Sequence, residues 1–120
     1  MGRQDDEDFV TYTVVISPAK AGIPSDTLQV KIRKFKGGSP RSFLNWICDF
    51  QTLARKKGWN DEQKSLNLIA LIEGDLVHEV ERLVAQARTE KWSFDKFYTA
   101  VGYSLYQKVV AKIWTMRYGI

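Results

Sequence analysis

Cysteine and histidine each occur once in this 120-residue sequence, as Cys48 and His78. One cysteine excludes an internal disulfide, and a lone histidine beside Glu79 and Glu81, with no second ligand one helical turn on, does not make a metal site. His78 therefore reads as a surface or helix-packing residue. Cys48 reads as a small, half-buried helix residue, since no neighbouring histidine would activate its thiol. Proline occurs only three times. Unbroken aliphatic runs are scarce too: Ile69 to Ile72 is typical, far short of the roughly 20 residues that cross a bilayer. No cationic-then-apolar leader opens the chain, which leads us to expect a cytoplasmic protein. There is no G-x-S-x-G elbow, no G-x-G-x-x-G and no G-K-S/T around Gly37 and Gly38, so no catalytic, cofactor-binding or metal residues are assigned and no enzyme is expected.

What remains is ordinary for a globular chain, with 44% hydrophobic and 27% charged residues, enough for one small domain and not two. Its organising stretch is Phe35 to Leu83. Ser39 followed by Pro40 supplies an N-cap oxygen and a fixed first helical φ. Phe43, Trp46, Ile47, Phe50, Leu53 and Ala54 then recur at helical spacing, until Arg55, Lys56, Lys57 and Gly58 end the helix. Trp59 is expected to pack back. Asn60 to Gln63 reads as a capping box for a second helix running to Glu73 and stopped by Gly74. Asp75 reads as the cap of a third, with Leu76, Val77, Val80, Leu83, Val84 and Ala87 inward. Ser93 caps a fourth whose stripe is Phe94, Phe97, Tyr98, Val101 and Leu105. Gly102 in that stripe implies close packing or a break. Val109, Val110, Ile113, Trp114 and Met116 extend the pattern, either as a fifth helix that completes the core or as a face awaiting a partner.

The order F-x-G-G-x-x-x-x-F-L-x-W-x-x-x-F, then L-A-x-x-x-G-W-x-D-E-x-K, L-I-x-G-x-L and W-S-F-D-x-F, resembles the capsid region of Gag from Gypsy-type LTR retrotransposons and their host-domesticated relatives. The likeness spans roughly Phe35 to Leu105 and is greatest to the N-terminal capsid lobe. It departs at Leu76, where the family often has a small residue. The resemblance implies a structural protein that self-associates into oligomers or a capsid shell around RNA, the RNA being held by neighbouring Gag regions. A second implied class is a monomeric module holding a host peptide, by strand addition beside Leu28 to Ile32 or by helix-in-groove docking. A basic nucleic-acid-binding domain is a third.

Ahead of the helices, residues 1–9 read as an acidic leader without function, and residues 10–38 as an arm. Val10 to Ile16 and Leu28, Val30, Ile32 each read as a strand, joined by a broken segment too long for a tight hairpin. An isolated ribbon is marginal, so this arm must lie on the helices, pair with another subunit or stay mobile. Residues 39–120 form the helical domain. The expected fold is thus mainly α, a bundle of four to five short helices behind a short β arm. Phe43, Trp46, Ile47, Phe50, Trp59, Ile69, Val80, Leu83 and Phe97 are the expected core, with Leu66 among its fillers. Lys31, Arg33, Lys34, Lys36 and Arg41 form a basic cluster, a candidate RNA or polyanion contact. The net charge of +4 becomes +7 without the first eight residues, which leaves 17 basic and 10 acidic; a solvated surface is nevertheless the preferred reading of such lysines over dedicated nucleic-acid binding. Aromatics make up 12% of the chain, more than a small bundle needs. Tyr103, Tyr106, Trp114 and Tyr118 are assigned to self-association or a partner contact, because aromatic residues anchor interfaces.

Overall fold

The structure, a computed structural model, describes residues 8–17 and 19–118, with the backbone alone at Tyr118. Two strands, β1 (Phe9–Ser17) and β2 (Asp26–Arg33), precede four helices: α1 (Pro40–Lys57), α2 (Asp61–Ala70), α3 (Leu76–Glu90) and α4 (Phe94–Tyr118). The strands pair antiparallel, with Phe9 opposite Arg33 and Val15 opposite Thr27, and a bulge falls between Val15 and Ser17. The broken connection holds its own tight turn, closed by reciprocal amide bonds between Lys20 and Ile23.

Of the three fates open to the arm, the first is realised: the ribbon lies on α1. Val14 and Ile32 are buried, Tyr12 meets Trp59 edge-on at 5.7 Å, and the Trp46 indole N–H donates to the Arg33 carbonyl. Lys57 donates from the far end of α1 to the Thr13 carbonyl at 2.9 Å. The apolar and ring contacts cover one face of the ribbon, while the Trp46 and Lys57 bonds satisfy two carbonyls, of Arg33 and Thr13, that a two-stranded ribbon leaves open. That is how so small a sheet persists. Ile16 and Leu28, past the edge of the helix, stay exposed.

α1 follows its sequence signals closely. Ser39 Oγ accepts from the Ser42 amide at 3.1 Å, and Gly58, at φ 70°, closes the helix in the left-handed conformation. The capping box of α2 is formed, with Gln63 N–H donating to Asn60 Oδ1 at 2.8 Å and Asn60 N–H to Gln63 Oε1 at 2.9 Å. Ser93 Oγ caps α4 by accepting from the Lys96 amide.

Two boundaries differ from expectation. α2 ends at Ala70, three residues short of Glu73, because the chain beyond it turns aside to pair with Phe35. The Phe35 amide donates to the Leu71 carbonyl at 2.8 Å and the Glu73 amide to the Phe35 carbonyl at 2.9 Å, a parallel bridge between Phe35 and Ile72. Asp75 does not cap α3; its backbone is already helical and its side chain makes no capping bond. The turn at Gly74 takes φ 88°, and a β-carbon there would lie 3.1 Å from the Lys36 carbonyl oxygen. Gly74→Ala is therefore expected to cost about 1 to 2 kcal/mol from the left-handed backbone alone, read as a lower urea midpoint.

Gly102 behaves oppositely. α4 runs unbroken through it, and an added β-carbon would meet only Phe43 Cδ2 at an ordinary 3.8 Å. Gly102→Ala should raise stability by about 0.5 to 1 kcal/mol in the same measurement. The close packing that the glycine implied leaves room for a methyl group.

The core is a row of rings. Phe35, Phe43, Trp46, Phe50, Phe94 and Phe97 pass contacts from the ribbon to α4, with ring centroids 5.2 to 6.1 Å apart. Ile47, Val80 and Leu83 are buried as expected, whereas Trp59 and Ile69 are only partly buried against the same cluster. Leu66 is exposed, because Leu68, Leu71 and Ile72 occupy the inward positions of that segment. Cys48 is likewise exposed and not half-buried; Ile47 beside it takes the inward position.

Candidate functional site

The expected self-association residues lie on α4 from Tyr103 onward. Its first half is fixed by packing, with Phe94, Phe97, Val101 and Leu105 buried against the other three helices. Beyond Leu105 the helix continues while the rest of the domain does not. Tyr103, Tyr106, Val109, Val110, Ile113, Trp114 and Met116 are all exposed, Ile113 by 53% and Met116 by 77%. Tyr103 and Tyr106 lie with their rings 6.4 Å apart, and Gln107 donates to the Tyr103 hydroxyl at 2.8 Å. The side chain of Tyr118 falls outside the described residues. Isolated exposed apolar side chains are common, whereas a contiguous strip of seven on one helix is a candidate contact surface. Of the two fates weighed for this tail, a core-completing fifth helix is not formed; the tail is a continuation of α4.

A second candidate lies where β2 meets α1. In the antiparallel register, with Lys34 N–H donating to the Asp8 carbonyl at 2.7 Å, the alternate residues Gln29 and Lys31 turn their backbone groups away from β1. That outer edge borders a groove of about 580 Å³ lined by Phe9, Val30, Ile32, Trp46, Asp49 and Leu53 among others. Among the described residues no strand covers it. Of the strand-pairing residues named from sequence, Ile32 is buried in the core, Val30 is partly buried and Leu28 is exposed, so Ile32 serves the fold first.

The basic cluster is largely occupied within the chain. Asp8 pairs with Lys36 at 2.5 Å and with Arg33 at 3.7 Å, while Lys34 pairs with Glu73 at 2.8 Å. Arg33 also lies 4.6 Å over the Phe9 ring. Lys31 and Arg41 have no ion pair among the described residues. Asp8 and Phe9, read as the end of a functionless leader, thus belong to the ribbon; the acid signal was present, but its partners lie beyond the reach of local pattern.

The Lys36 ammonium bonded to Asp8 holds that carboxyl below the usual carboxylate range, and Lys34 does the same to Glu73. A depressed folded-state pKa means the stabilisation is complete above the ordinary carboxylate pKa and disappears as pH falls through the lower folded value. Protection of the β1 and β2 amides, measured against the unstructured exchange rate at each pH, should accordingly fall on acidification below the usual range, with Asp8→Asn already poorly protected at neutral pH. Equal exchange in the two proteins at pH 7 would remove Asp8 as the cause.

His78 stands in solvent with Nδ1 3.9 Å from Glu81 Oε1, and no group of three or more ligating side chains is placed to hold a metal among the described residues. Among the described residues no helix is long and apolar enough to cross a membrane. Compared with protein-family models, curated proteins and solved structures, the chain finds no match in any of the three.

Proposed function

We propose that this chain is a structural, self-associating domain of the Gag capsid type, a cytoplasmic building block with no catalytic role, whose copies join through the exposed strip on α4. The strip carries the proposal. Seven exposed apolar side chains extend from a helix whose first half is locked into the core, so the strip is held out rigidly and its burial by a partner costs little ordering entropy. Repetition of such a contact builds oligomers, and a second, non-closing contact would extend them into a shell able to enclose RNA. The mainly helical architecture after the ribbon is compatible with the resemblance, and the ion pairs that occupy Arg33, Lys34 and Lys36 favour RNA contact through neighbouring Gag regions. Light scattering as a function of concentration tests the reading: mass should rise with concentration and be only weakly salt-dependent. A monomer at every concentration up to millimolar would sink it.

The β2 edge supports a second reading, a module that binds a host peptide by adding a strand beside Leu28, Val30 and Ile32 over the adjoining groove. Lys31→Pro removes an outward amide without touching the ladder to β1. Peptides selected on the native protein should lose binding to this variant; undiminished binding would discard the strand-addition mode.

A further inference from the structure

We propose that the exposed face of α4 pairs with the same face of a second copy, antiparallel, about a two-fold axis near the level of Lys108. This rests on the self-association reading and gives it a geometry. Along that face stand Asp95, Thr99, Tyr103, Tyr106, Val110, Ile113 and Arg117, all exposed. From Thr99 onward they are separated by alternate steps of four and three residues, the spacing that lets two helices wind about each other along a continuous seam. Asp95 lies one further turn toward the N-terminus.

The charges on this face select the partner and its direction. Asp95 is the only acid in α4; every charged residue after it, Lys96, Lys108, Lys112 and Arg117, is basic. Neither Asp95 nor Arg117 has an ion pair among the described residues. Side by side in parallel, two copies would set Asp95 against Asp95 and Arg117 against Arg117. Reversed, Tyr103 faces Ile113 of the second copy, and Tyr106 faces Val110 of the second copy. Arg117 then lies against Thr99 of the second copy and reaches Asp95 of the second copy one turn beyond, an opposite-charge contact made twice by the symmetry. Lys108, which lies near Glu79 of α3, and Lys112 both fall off the seam. Antiparallel packing also opposes the two helix dipoles. An unrelated acidic partner would satisfy Arg117 but leave Asp95 facing a like charge; a second copy answers both.

Charge reversal in the full chain tests this. Asp95→Lys and Arg117→Glu should each weaken dimerisation by about tenfold, measured by sedimentation, since two attractive pairs become repulsive. Mixed in equal amounts, the two variants should recover the dimer, because each supplies the charge the other has lost, and the double variant D95K/R117E should recover it alone. Misfolding cannot be repaired by mixing, so recovery supports the pairing. A wild-type chain that associates while both single variants associate equally well would overturn the antiparallel register and leave self-association standing. A wild-type chain monomeric throughout overturns both readings. So does a monomer that instead binds phosphatidylserine vesicles through this basic, apolar helix, which would assign the face to a membrane surface.

Discussion

Replacing Phe50 by alanine is expected to remove about 3 to 5 kcal/mol of folding stability, a large share of the roughly 5 to 15 kcal/mol that holds a domain of this size together. Phe50 is fully buried, and its ring lies 5.5 Å from Trp46, 5.6 Å from Phe94 and 5.9 Å from Trp59. Its ring joins α1, the start of α4 and the connection after α1. A cavity there cannot be refilled by local collapse, since each neighbour is itself held by a separate ring. Equilibrium urea unfolding would show the loss as a lower midpoint at unchanged slope. A change below about 1 kcal/mol would mean that the row of rings is not the centre of the fold. Replacing Trp46 by phenylalanine probes a different link, keeping most of the ring contacts while leaving the Arg33 carbonyl without its indole donor. Its effect should concentrate in the ribbon.

The second large effect concerns association without stability. Ile113→Glu combined with Tyr106→Glu places charge in the middle of the exposed α4 strip, where any partner would have to desolvate it. Association should weaken by about a hundredfold or more, so that light scattering reports a monomer where the native chain reports larger species. Compared at dilutions where the native chain is also monomeric, the melting transition should scarcely move, because Tyr106 and Ile113 are 55% and 53% exposed in the single chain. A lower melting temperature at such dilution would instead show that the tail folds back on its own domain. Unaltered mass would place the contact elsewhere on the surface.

Where local chemistry decides a feature, the sequence is enough to read it. Ser39, Pro40, Gly58, Asn60, Gln63 and Ser93 each act on backbone groups within four residues, and each was readable as a cap or stop. The end of α2 was not, because it is fixed by Phe35, whose amide and carbonyl take up the backbone groups that would otherwise extend the helix. Asp75 failed as a cap for the same reason: the turn at Gly74 already places it in helical geometry. Periodicity read α4 as two apolar stripes, one to Leu105 and one from Val109, where the structure has a single helix, and it cannot distinguish a stripe with a neighbour beneath it from one without. Only the position of Leu105 at the edge of the domain tells Val101 from Val109. Leu66 and Cys48 show the converse, apolar side chains whose neighbours in sequence take the inward place. For the candidate site, the aromatic excess pointed to Tyr103, Tyr106 and Trp114, but the groove at the β2 edge emerged only once the ribbon was laid against α1.

The bridge between Phe35 and Ile72 has a consequence for how the domain comes apart. It stitches the segment leaving the ribbon to the segment leaving α2, so neither can peel away without breaking the other's backbone bonds. Fraying from the N-terminal side should therefore halt at this stitch, and deuterium uptake at the Phe35 and Glu73 amides should follow the slowest, global opening, while amides near the bulge in β1 exchange through shallow local ones.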